Sequence, residues 1–387
     1  MKAIRKLVDN IKPTFSKGGK LGFLHSTFDA FETFLFVPNL VTKKGTHIRD
    51  SIDLKRTMTM VIFALTPALL FGMYNVGHQH ALATGASMDF WQTFFYGFLR
   101  VIPMVIVSYG VGLGIEFASA QIRGHEVNEG YLVTGMLIPL IMPVDLPLWM
   151  LALAVAFSVI IGKEVFGGTG MNIWNPALIA RAFAFFAYPS FMSGDKVWVS
   201  GLTKGEGIID GFSGATPLAN AQAGIWSEVP SLQEMFLGLI PGSVGETSTL
   251  AILLGAALLI FTGIASWRIM VSVVAGGLLT GLLLNLVAPS PDSYLAIPAW
   301  YHLVMGGFAF GTVFMATDPV TGSQTNRGKW IYGFLIGMLA VVIRVFNPGY
   351  PEGMMLAILL MNTFAPLIDY SVVQKNIKRR EKRAIIK

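Results

Sequence analysis

Apolar runs long enough to cross a bilayer recur down the chain, separated by short polar corners. A spanning helix needs about 20 mostly apolar residues. Such runs lie near 57–77, 95–120, 131–144, 147–165 and 172–190, then near 247–265, 268–288, 299–316, 330–346 and 350–371. The pattern predicts an all-α polytopic membrane protein with about ten transmembrane helices in two blocks of five. An odd number of spans in each block makes the two blocks inverted repeats. The chain then divides into a polar N-terminal segment (1–56), a first five-helix repeat (57–190), a polar loop (191–246), a second repeat (247–371) and a basic tail (372–387). An even total returns both ends to one side and puts the loop on the other.

Two of the runs are short and interrupted. "GYLVTGMLIPLIMPVDLP" (130–147) and "WYHLVMGGFAFGTVFMATDPV" (300–320) each open on a tyrosine and end at an Asp beside a Pro. Both read as broken helices, which face protein or water rather than lipid. Ordinary Gly- and Pro-rich helix packing explains the same pattern. The stretch "FDAFETFLFVPNLV" (28–41) is too short and too charged to span and suits an interfacial position.

Composition narrows the class. The 387 residues are 53% hydrophobic and 13% charged, about half the charge of a soluble domain. The net charge of +6 gathers at the two ends. That fits cytoplasmic termini under the positive-inside bias, not a nucleic-acid surface. No apolar h-region precedes the first span, so no cleavable signal peptide is expected. Cysteine is absent, which excludes disulfides, thiolate-bound zinc and cysteine-held iron–sulfur clusters in this chain.

Polar groups at membrane depth need a partner or a purpose. Glu116 sits near the end of the second span, Lys163 and Glu164 end the fourth, and Asp369 lies in the last. Such carboxylates suit the passage of Na⁺ or protons; ion pairing or snorkelling accounts for them equally, and is favoured for Lys163 and Glu164. "GGTGMNIWNPALIARAF" (167–183) holds Asn172 and Asn175 at a spacing that puts both amides on one face at a helix start. Amides suit the imide and carbonyl edges of a flat heteroaromatic ring, but also cap helices. His125 lies in a polar loop, where a lone histidine is usually solvated. In "DGFSGAT" (210–216) small Gly214 and Ala215 precede Thr216 and leave room for something bulky to reach its hydroxyl. With no histidine close in sequence, Thr216 reads as an acceptor of modification rather than a nucleophile, and a plain turn before a short helix explains it as well.

That last stretch resembles the flavinylation motif of the Na⁺-translocating NADH:quinone reductase and the related Rnf complex. The resemblance extends through "VPNLVTKKGTHIRDSIDLKR" (37–56), "RGHEVNEGYLVTG" (123–135), "KEVFGGTGMNIWNPAL" (163–178) and "FMATDPVTGS" (314–323). It implies two inverted five-helix repeats and covalent FMN on Thr216 through its phosphate, with Asp210, Ser213, Gly214 and Ala215 completing the motif. It also implies non-covalent riboflavin at Asn172 and Asn175, and a quinone region at Gly112, Leu113 and Glu116. Asp29, Glu116 and Asp369 resemble carboxylates linked to Na⁺ uptake. Leu113 stands where some relatives carry a second glycine, and Asp29 where they carry a glutamate. No resident metal is implied. The implied role is a bacterial inner-membrane component that passes electrons to ubiquinone, coupled to Na⁺ export, beside partner subunits A, C, D, E and F. The flavin loop would face outward. The long N-terminal segment favours the B-type chain over the D-type chain of Rnf. A urea- or ammonium-type channel would show the same inverted repeats but has no use for a flavinylation loop.

Overall fold

The structure is a computed structural model. It describes residues 2–16, 18–36, 42–48, 50, 52–124, 127, 130–203, 205, 207–209, 211–290, 293–347 and 353–385. Among these residues there are helices and turns and no strand.

Two polar helices come first, α1 (Lys2–Phe15) and α2 (His25–Leu35). Phe15 stacks on Phe28 at 4.9 Å, and the buried Glu32 takes Lys12 at 2.8 Å and Arg5 at 3.3 Å. The first block follows as α3 (Leu54–Thr84), α4 (Phe90–Arg123), α5 (Tyr131–Leu140), α6 (Leu148–Gly162) and α7 (Pro176–Ala187). Its boundaries are written locally. Asp53 and Asp89 accept the first free N–H groups of α3 and α4, and Gly85 and Gly124 close both helices in the left-handed conformation.

The loop carries three short helices, α8 (Pro189–Met192), α9 (Pro217–Gln222) and α10 (Leu232–Leu237). Then come α11 (Thr249–Phe261) and α12 (Trp267–Val287). A broken segment follows, built from α13 (Tyr301–Val304), α14 (Phe308–Phe310) and one π-helical turn, Gly311–Met315. The second block closes with α15 (Asn326–Phe346) and α16 (Met354–Ile385).

Six of these helices are long and apolar enough to cross a membrane, and α5, α7 and α11 are shorter apolar helices. The chain is therefore an all-helical polytopic membrane protein, although the expected ten full-length spans do not all form. The run 131–144 stops at Leu140, 172–190 begins at Pro176, and 299–316 breaks into three pieces. Gly and Pro end these pieces early, and the freed backbone lies against protein.

The two blocks share part of their packing, although α3 packs on α4 and α11 makes no comparable contact with α12. In the first, α6 lies between α4 and α7, while α5 touches α3, α4 and α7. In the second, α15 lies between α12 and α16, while the broken segment touches α11, α12 and α16. The first helices of the blocks, α3 and α11, pack on each other, and so do the last, α7 and α16. The α12–α15 contact is close because a methyl added at Gly337 would lie 2.0 Å from the Val273 carbonyl oxygen. Small residues at such crossings are how membrane helices gain dispersion contact without a hydrophobic driving force.

Candidate functional site

Two cavities hold the candidate residues, one at the N-terminus of α7 and one beside Thr216. The first, of about 110 Å³, surrounds the N-terminus of α7. Asn172, Asn175, Lys163, Thr169 and Asp318 are among its polar lining; Val61, Leu137 and Phe314 are among its apolar walls. Asn175 is the N-cap of α7: its Oδ1 accepts from the N–H groups of Ala177 at 3.0 Å and Leu178 at 3.4 Å. Its Nδ2 donates to Asp318 Oδ2 at 3.4 Å. Asn172 Nδ2 donates to the Trp174 carbonyl at 3.0 Å. The two amides are not on one helix face, as their spacing suggested, because Pro176 starts the helix and leaves Asn172 in the preceding turn. The cavity still brings them together. Asp318, the acid ending the broken segment, accepts from the Val320 N–H and the Thr321 hydroxyl, both at 3.0 Å.

Lys163 joins this cavity to Glu116. Its ammonium pairs with Glu116 Oε1, with both side chains almost fully buried, and lies 5.9 Å over the Tyr131 ring. Lys163 and Glu164 are therefore ion-paired as expected, but not with each other. Glu164 accepts from Ser119 Oγ at 2.5 Å and faces Arg123 at 3.6 Å. The signal was present in the sequence. Glu116, Ser119 and Arg123 recur at three- and four-residue spacing, so one stripe of α4 meets the 163–164 corner.

Gly112 faces no open space. A methyl there would lie 1.9 Å from Tyr131 Cζ, so the glycine exists in this fold to let the tyrosine cross α4. Tyr131 is fully buried and its hydroxyl donates to the Ser108 carbonyl at 2.9 Å. Leu113 is half-buried beside it. The three candidate ion-path carboxylates occupy separate settings. Glu116 is paired as described. Asp369 accepts from Ser323 Oγ (2.7 Å), Gln324 N (2.7 Å), Thr325 N (3.0 Å) and Thr325 Oγ1 (2.6 Å), tying α16 to the start of α15. Asp29 sits half-buried on α2, which docks on the end of α4 through Ala30, Ala120 and Val127.

The second cavity is a narrow pocket of about 20 Å³ beside Thr216. Thr216 is the N-cap of α9, its Oγ1 accepting from Ala219 N at 3.2 Å, with Pro217 in the first helical position. The small residues before it do not open a path to its hydroxyl. A methyl on Gly214 would meet the Asp195 carbonyl oxygen at 2.4 Å and Leu202 Cδ2 at 2.7 Å, so the loop's own packing takes that space. Ala215 is buried, Ser213 is exposed, and the Ser213 hydroxyl accepts from Ala215 N at 3.3 Å. Asp210 and His125 lie outside the described residues. Sequence reasoning missed the groups beneath the pocket. Arg181 Nη1 donates to both oxygens of Glu246, at 2.8 and 2.9 Å, and both side chains are buried. The Ser243 hydroxyl, buried in the pocket wall, has no hydrogen-bond partner among the described residues. Asn175 caps α7 and Arg181 lies on it, about 9 Å further along the helix axis.

The profile of the NQR2, RnfD, RnfE family matches residues 41–378. The chain belongs to this family. The B subunit of the Na(+)-translocating NADH-quinone reductase of Chromohalobacter salexigens is 48% identical, over 98% of this chain and 96% of its own length. The proteins of the same name from Azotobacter vinelandii and Pseudomonas aeruginosa are 47% and 46% identical, covering 99% and 97% of this chain and 100% and 98% of their own lengths. The family match takes in both cavities and every candidate residue except Asp29.

Proposed function

We propose that this chain is the B-type subunit of a Na⁺-translocating NADH-quinone reductase, with FMN joined to Thr216 as a phosphoester and riboflavin held in the cavity at the start of α7. The observation that carries the reading is the match to relatives of that name over nearly the whole of both chains, N-terminal segment included. A D-type Rnf chain or a channel leaves that segment, or the flavin motif, without a use.

The side chains present offer the hydrogen-bonding groups such cofactors use, in cavities that would have to widen to admit a whole flavin. Around the α7 cavity, Asn172 and Asn175 offer amide donors and acceptors for an imide edge, and Thr134, Thr169 and Thr317 offer hydroxyls for a polyol chain. The apolar walls keep that edge dry. Beside Thr216 the free Ser243 hydroxyl is an unspent donor, and the Arg181–Glu246 pair fixes the floor. When bound, a flavin supplies one- and two-electron transfer. The chain's part is to hold two such sites in one folded unit, with Asn175 at the start of α7 and Arg181 of the same helix paired to Glu246 in the wall of the Thr216 pocket. Ubiquinone would approach the region of Gly112, Leu113 and Glu116 from the membrane face. Na⁺ export, coupled to this transfer, would involve Asp29, Glu116 or Asp369. A chain without cysteine needs its iron–sulfur partners in other subunits, A, C, D, E and F. The basic ends favour cytoplasmic termini in the bacterial inner membrane, with the Thr216 loop outside.

The α7 cavity is tested by extraction. Denaturing the assembled complex in acid should release unphosphorylated riboflavin. Asn172→Ser with Asn175→Ser keeps a hydroxyl cap on α7 but removes both amides. This variant should bind added riboflavin at least about tenfold more weakly, the loss expected from two net hydrogen bonds, while its covalent flavin is unchanged. An unchanged riboflavin affinity in the variant would remove the site from this cavity.

A further inference from the structure

Away from both cavities, a third opening lies between the start of α15 and the later turns of α16. It measures about 340 Å³ and is lined by Arg327, Ile331, Ile368, Ser371, Val372 and Lys375. Ile331, Ile368 and Val372 form an apolar floor. Arg327 and Lys375, one from each helix, are exposed, and neither has an ion pair or side-chain hydrogen bond among the described residues. The nearest acid on α16, Asp369, is already saturated by Ser323, Gln324 and Thr325. The Ser371 hydroxyl donates to its own helix, at 2.9 Å to the Leu367 carbonyl, which leaves recognition to the two cations.

The groove sits at the level where a bilayer meets water. Trp330 and Tyr370, both exposed, immediately precede its Ile331 and Ser371. Trp330 packs edge-on against Trp267 at 5.7 Å, and Arg268 lies 5.2 Å over the Trp267 ring. Tryptophan and tyrosine belts of this kind mark the headgroup layer. On α16 the sequence turns from apolar to basic at Lys375, and α15 begins with Arg327 and Lys329. Snorkelling explains one cation at a helix end. It does not explain a concavity between two helices with one unpaired cation from each beside an apolar floor.

We propose that this groove binds an anionic glycerophospholipid, its phosphodiester between Arg327 and Lys375 and one acyl chain along Ile331, Ile368 and Val372. Basic pockets between membrane helices favour such headgroups. The charge fits a lipid with net negative charge, since a zwitterionic headgroup brings its own cation to the same two side chains. The apolar floor continues into exposed Leu367 and Phe364, which suits a chain of lipid rather than free phosphate. The proposal stands apart from the flavin reading.

The absence of cysteine makes the test direct. A Ser371→Cys chain, full length and in detergent micelles, carries one environment-sensitive thiol dye in the groove. It is titrated with dioctanoyl phosphatidylglycerol, dioctanoyl phosphatidylcholine and inorganic phosphate. Phosphatidylglycerol should give a saturable response that the other two do not. Arg327→Gln with Lys375→Gln should weaken its apparent affinity about 30-fold, and Lys378→Gln with Arg379→Gln, beyond the groove, should leave it unchanged. All four side chains are exposed, so folding is not at stake. An equal response to phosphatidylcholine, a response to phosphate alone, unchanged affinity in the groove variant, or no response at all would each overturn the proposal. So would burial of the dye by another protein chain in the assembled complex, which would make the groove a protein contact.

Discussion

At the scale of single residues, the candidate groups serve the fold as much as any ligand. Thr216 caps α9, Asn175 caps α7, and Gly112 makes way for Tyr131. The first two roles were legible, since a Thr-Pro or Asn-Pro pair before an apolar run is a helix-start signal. The third was not. Tyr131 lies on another helix, and nothing local says which ring a glycine will face. The Arg181–Glu246 pair was invisible for the same reason, its partners being separated by the whole polar loop. Removing one partner of a buried pair leaves an uncompensated charge, at about 3–5 kcal/mol. Arg181→Met alone should therefore lower the thermal midpoint of the purified chain sharply, while Arg181→Met with Glu246→Leu should recover most of the loss. If the single variant melted like wild type, the pair would have no part in holding the floor beneath Thr216.

At the scale of elements, the apolar runs located each long helix. Gly or Pro shortened the broken ones, while Asp53, Asp89 and Thr325 caps started α3, α4 and α15 earlier than hydropathy alone suggests, and α16 runs on through the basic tail. The places of the helices were legible because hydropathy over a span is a sum; the break within 300–320 was legible because its glycines and Pro319 interrupt that sum. The contacts between elements were not, and Asp369 shows the consequence. From sequence it is an acid near the end of a membrane helix, suited to an ion path. In the structure it receives four hydrogen bonds from residues 323–325 and anchors α16 to the N-terminus of α15. Asp369→Ala should strip those partners and cost about 2 kcal/mol or more in stability. If Asp369 is also on the Na⁺ path, turnover of the assembled complex should lose part of its Na⁺ dependence. Turnover with unchanged Na⁺ dependence in a destabilised Asp369→Ala complex would confine the residue to its anchoring role.

At the scale of the whole molecule, the two blocks share several contacts and meet first helix to first and last to last. Within it α7 carries the Asn175 cap at its start and Arg181, which pairs with Glu246 in the wall of the Thr216 pocket. The central claim is that this pocket anchors a flavin covalently, and in-gel flavin fluorescence tests it most directly. Wild-type and Thr216→Val chains are made with the cell's flavin-transfer machinery present, then denatured and compared on one gel. A fluorescent wild-type band that is absent from Thr216→Val, at equal protein, is the predicted result. A dark wild-type band beside a flavinylated control protein would contradict the account.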